Sequence, residues 1–148
     1  MSAIENTSGD AQAVGGSRRR IRLAAVGGAI VAALAVWLVA EGIFGLDVRR
    51  PAASVGEPAL DVDAFHVAFA AAVGSLAGWA LLAVLERLTA RPRRLWTVIA
   101  AVALVVSLGG PLSGSGITTT NRLALLLMHA VVAAIVILAM SRTARAER

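Results

Sequence analysis

The chain has 148 residues, room for one domain, of which 58% are hydrophobic, and its mean hydropathy is +0.79. A water-soluble domain of this size buries only a limited share of its surface, so this much apolar material requires lipid to cover it. The net charge is +5 and cysteine is absent, which excludes a disulfide framework, thiolate metal sites and thiol redox chemistry.

All fourteen basic residues are arginine, which reads as the coding bias of a GC-rich genome. A basic chain invites a nucleic-acid reading. These arginines, however, flank apolar runs with no interleaved aromatics, which fits membrane orientation and no nucleic-acid partner.

Residues 1–20 are polar and small with no hydrophobic periodicity, and are expected to form an irregular tail. Arg18, Arg19, Arg20 and Arg22 then precede an uncharged run from Leu23 to Ala40. A helix rises about 1.5 Å per residue, so about 20 apolar residues cross the hydrocarbon layer. The first span is placed at 23–45. A cleaved signal peptide would have a shorter apolar core and a small-x-small site, which Leu38 spoils ahead of Glu41, so the helix is read as retained.

Pro51, Gly56 and Pro58 mark 47–61 as a loop. The second span is placed at 64–85, with Asp61 and Asp63 suited to its first turn, where carboxylates meet exposed N–H groups. Arg91-Pro92 blocks helix continuation after a short turn. The third span is placed at 95–111, opened by Trp96 at interfacial depth and broken by Gly109-Gly110-Pro111. Residues 113–120 form a loop, Asn121 caps a fourth span at 123–140, and 142–148 form a basic tail. The fold class is therefore all-α: a polytopic membrane protein with a four-helix bundle over 21–141.

Four spans place the N-terminal flank, the 86–94 turn and the C-terminal tail on one side. That side holds eleven arginines against three, Arg49, Arg50 and Arg122, on the other. The positive-inside rule then puts both termini in the cytoplasm, with the chain in the bacterial inner membrane.

Small residues four apart let helix backbones approach closely. Gly74 and Gly78, extended by Ala70, form one such stripe. Ala24, Gly28, Ala32 and Ala35 form another. Gly28, Gly74 and Gly78 are thus the expected helix-packing positions, within the bundle or toward a second copy or another membrane protein. Polar residues inside the spans are few: Glu41, His66, Ser107 and His129 fall one per helix in the outer half, with Ser75 beside them on the second. The four can line an outward-opening polar pocket for a solute, a proton or a metal. The alternative is that Glu41 and His66 sit hydrated at headgroup level, Ser107 bonds its own helix, and His129 needs one partner among Glu41, Ser107 and His66. No spaced metal-ligand set, catalytic base-and-nucleophile arrangement or cofactor loop is present, so no catalytic residue, metal or cofactor is assigned. Small multidrug transporters also have four short helices, but their carboxylate belongs near the midplane, whereas Glu41 lies at a helix end.

The motifs Arg-Arg-Leu-Trp at 93–96, Pro-Leu-Ser-Gly at 111–114 and Leu-Met-His-Ala at 127–130 carry a resemblance. From Leu23 to Arg142 the chain resembles small actinobacterial four-helix integral membrane proteins of an uncharacterised domain family. The resemblance implies a fold and a membrane setting and no activity. The expectation is a structural or accessory membrane component, not an enzyme; a small transporter or solute-binding protein is the alternative.

Overall fold

In hydrocarbon every backbone N–H and C=O must be paired within the segment, so each long apolar run closes into a helix. The computed structural model describes residues 3–52, 57–113 and 116–145. Helix α1 spans Ala3–Leu38, α2 Ala64–Leu88, α3 Pro92–Ser113 and α4 Thr119–Thr143. All four are long and apolar enough to cross a membrane, and they pack as an antiparallel bundle.

Arg22 of α1, the start of α3 and the ends of α2 and α4 share one end of the bundle, here the arginine-rich end; the described interhelical residues 44–52, 57–63 and 116–118 lie at the other. Loop residues 114–115 and tail residues 146–148 lie outside the described residues.

Several boundaries differ from expectation. Residues 3–20, read as an irregular tail, continue helix α1. The apolar span supplies the costly nucleus, and Ala, Glu and Gln extend a helix already begun. Gly109-Gly110-Pro111 does not break α3, which runs on to Ser113 with Pro111 inside it. Pro111 lies so near the helix end that it removes only the bond to the Ser107 carbonyl. At the other end of α3, Pro92 takes the first helical position, where no N–H is needed.

Asp63 caps α2 as expected, whereas Asp61 lies outside the helix, in the two-residue strand Leu60–Asp61. The cap of α4 is Thr118, whose hydroxyl accepts from the Asn121 N–H. Asn121, read as that cap, instead sends Nδ2 to the Asp47 carbonyl at 2.8 Å and ties α4 to the first loop.

Helix α1 ends in a π-helical turn, Val39–Ile43, and the chain reverses at Gly45, whose φ of +60° disfavours any side chain. Within the expected loop, β1 (Arg49–Arg50) and β2 (Leu60–Asp61) pair antiparallel, with Arg49 opposite Asp61. Val48 is fully buried beneath this pair, and Trp37 Nε1 donates to the Val62 carbonyl at 2.8 Å.

Two apolar clusters fill the bundle. One, toward the loop end, joins Ala33, Ala40, Val67, Ala71, Leu125 and Met128. The other, toward the arginine-rich end, joins Val26, Ala29, Leu82, Trp96, Val136 and Met140. The buried apolar residues of α1 are Ala25, Val26, Ala29 and Ala33, each one position or more away from the stripe expected at 24, 28, 32 and 35. One position along a helix is a rotation of about 100°. Gly28 accordingly faces open space. Helix α3 contributes only Trp96 to either cluster, so it is the peripheral member of the bundle.

Candidate functional site

A cleft of about 530 Å³ opens between α2 and α3, with α4 as its floor. Its α2 wall is the stripe His66, Ala70, Gly74 and Gly78; Ala100, Ala103 and Ser107 form the α3 wall; Met128, His129 and Val132 belong to the floor. Trp96 explains why two small-residue faces fail to close. A Cβ added at Gly78 would lie 3.0 Å from the Trp96 ring, so the indole fills the notch that this glycine leaves. The ring is 2% exposed, packed inside the bundle. It acts as a spacer: at Gly74, one turn farther on, an added Cβ meets nothing within 4 Å. Of Gly28, Gly74 and Gly78, only Gly78 is therefore a packing position within the monomer.

His66, Ser107 and His129 all line this cleft. Glu41 does not. It sits on the π turn at the end of α1, where its carboxylate accepts from the Val48 N–H at 3.4 Å, a weak tie to the loop. His66 stands at the mouth, largely exposed, with Nδ1 2.8 Å from Asp63 Oδ1. The same carboxylate caps α2, and the His66 backbone N–H, followed by its ring, holds the Asp63 pKa below the usual aspartate value. Ser107 donates to the Leu104 carbonyl at 2.7 Å, satisfying its hydroxyl on its own helix.

His129 is half-buried and bonds neither Glu41, Ser107 nor His66. Its Nδ1 lies 2.8 Å from the Leu125 carbonyl, one turn back. A carbonyl only accepts, so Nδ1 carries a proton and donates to it. Among the described residues no three of His, Cys, Asp and Glu come together as a metal site.

Two further features were not foreseen. Ser75 is wholly buried on α2, outside the cleft, with no partner for its hydroxyl. At the arginine-rich end, Arg22 is buried and grips Glu86 with both arms, Nη2 to Oε1 at 2.7 Å and Nη1 to Oε2 at 3.2 Å. The same guanidinium donates to the Thr143 hydroxyl at 3.1 Å and to the Thr143 carbonyl at 2.8 Å. Glu86 also accepts from the Arg145 backbone N–H at 3.0 Å. One arginine thus ties α1, α2 and α4 together. A planar five-donor fork can do this; a lysine could not. The signal in the sequence was the lone acid, Glu86, among the arginines of the 86–94 turn.

The fold and the cleft define a class, a four-helix protein with the spans of a multi-pass membrane protein. The chain belongs to the family of unknown function DUF6069, whose model matches residues 13–146. No curated protein and no solved structure matches it.

Proposed function

We propose that this protein is an accessory, non-enzymatic component of the bacterial inner membrane, and that the α2–α3 cleft receives a transmembrane helix from a second copy or another membrane protein. The uncovered face of Ala70, Gly74 and Ala77 carries the reading. In lipid, helices associate through close backbone approach at small residues, and here such a face lines open space. The orientation proposed has both termini in the cytoplasm, supported by eleven of fourteen arginines on the side that holds both. An actinobacterial source is part of the same proposal; it rests on the motif resemblance at 93–96, 111–114 and 127–130 and fits the arginine-only basic composition.

A second reading, a small solute-binding or transport protein, draws on the three polar side chains that line the cleft, His66, Ser107 and His129. Because the chain has no cysteine, a single introduced thiol is unique and decides between the two. Ala103→Cys in proteoliposomes should react with a membrane-soluble maleimide and resist a water-soluble one, and Gly74→Cys should crosslink to a neighbouring helix where Val31→Cys does not. Equal behaviour of positions 74 and 31 overturns the helix-docking reading. Rapid water-soluble labelling at 103 favours the solute reading.

A further inference from the structure

The arginine-rich end carries a second concavity, between α1, α3 and α4 and separate from the cleft. It is lined by Arg18 on α1, Arg93 and Arg94 on α3, Arg142 in the last turn of α4 and Arg145 just after it, with Thr97 and Val98 of α3 also in its lining. We propose that this recess binds the phosphate of an anionic phospholipid headgroup.

Charge is the first argument. Five arginines, on α1, on α3, at the end of α4 and just beyond it, line one recess, and among the described residues no acidic residue does so. Glu86, an acid at the same end of the bundle, is taken by Arg22 and by the Arg145 backbone N–H. Helices that merely needed orientation could spread these charges around the bundle end. Here several of them border one recess, where a single anion can meet more than one.

Geometry at the helix ends is the second. The recess adjoins the start of α3, whose exposed N–H groups favour an anion, and the end of α4, whose carbonyls oppose one. Arg22 covers the Thr143 carbonyl and weakens that opposition. Each helix end is worth roughly half a charge, so the five guanidiniums dominate. Guanidinium forks also match phosphate oxygens in pairs.

The apolar side of the recess selects the lipid over a soluble phosphate. Val98 lies six residues past Pro92, on the apolar length of α3, and is exposed, so the recess borders apolar helix surface on one side and the arginines of the helix ends on the other. A phospholipid presents an acyl chain to the one and a phosphate to the other, and a free anion presents only the phosphate.

The full chain, purified in detergent, tests this by native mass spectrometry and thermal melting with added phosphatidylglycerol, phosphatidylcholine or sodium phosphate. Phosphatidylglycerol should be retained and should raise the melting temperature; the other two should do neither. Arg93→Gln with Arg142→Gln should weaken that retention about fivefold for each arginine removed, the effect of about 1 kcal/mol per basic residue near an anionic surface. Arg49→Gln with Arg50→Gln, at the other end, should leave it unchanged. Melting of each variant in phosphatidylcholine checks that it is folded. Undiminished phosphatidylglycerol binding by the folded Arg93/Arg142 variant overturns the proposal, as does an equal loss in the Arg49/Arg50 variant. Equal stabilisation by sodium phosphate overturns the assignment to lipid.

Discussion

The bundle is closed at its two ends by different chemistry. At the arginine-rich end a buried ion pair joins three helices and a tryptophan wedges the fourth against Gly78. At the loop end the buried ties are neutral: Asn121 and Trp37 each donate one bond to a backbone carbonyl, a two-residue strand pair packs over Val48, and the Arg49–Asp61 ion pair across that strand pair is solvent-exposed. A buried charge pair is unforgiving, because losing one partner strands the other, whereas a neutral bond costs little when removed. The charged end therefore fixes the arrangement of α1, α2 and α4, and the neutral end leaves α2 and α3 parted over the cleft.

The largest effect should come from breaking the ion pair on one side only. Glu86→Gln or Arg22→Ala should destabilise the protein by about 3 kcal/mol or more in detergent melting. Arg22→Met combined with Glu86→Leu should recover most of that loss, since neither charge is then left alone. If the single and double changes proved equally mild, the two ends would not differ in the way described.

Next in size is overpacking at the wedge. Gly78→Leu has to displace Trp96 and should cost about 1–3 kcal/mol, while Gly74→Leu should leave the melting of the monomer almost unchanged and act only on association. Equal melting of the two variants would deny Trp96 its role as spacer.

At the neutral end, Asn121→Ala or Trp37→Phe should each cost about 1 kcal/mol by the same measurement. A cost matching that of Glu86→Gln would erase the contrast between the ends.

The smallest effect is a pH dependence at the mouth of the cleft. The Asp63 pKa is lowered in the folded state, so its contribution is fully present above about pH 4 and fades as pH falls through the folded value. Asp63→Asn keeps the cap but removes the titration, and should flatten stability below pH 4 relative to the parent. Unchanged curvature there would locate the acid sensitivity elsewhere.

The four spans were legible because lipid imposes one rule, a long uncharged run closed into helix, and each run stands between arginines. Helix rotation was not. Ala and Gly occur so densely in α1 that frames starting at 24 and at 25 both read as small-residue stripes, and only contact with α2 and α4 selects Ala25, Ala29 and Ala33. The same density made Gly74 look like a packing position, although the spacer that holds α3 away from it, Trp96, is eighteen or more residues further on and read as interfacial. His66, Ser107 and His129 line one cleft, as their depth and helical faces allowed. Glu41 was misplaced because the π turn rotates the end of α1 away from an ideal helical register. The Arg22–Glu86 pair spans 64 positions, and both residues already had an adequate local explanation at the ends of their helices.

Arg22 also has a history within the lifetime of each molecule. Its partner Thr143 lies 121 positions later in the chain. At a synthesis rate of about 5–20 residues per second, α1 emerges roughly 6–24 s before that hydroxyl exists. Through that interval the guanidinium has only water, headgroups and, later, Glu86 to satisfy it. Its charge can then serve to set the direction in which α1 enters the bilayer, and only once the last helix is made does the same group become the knot that locks three helices together.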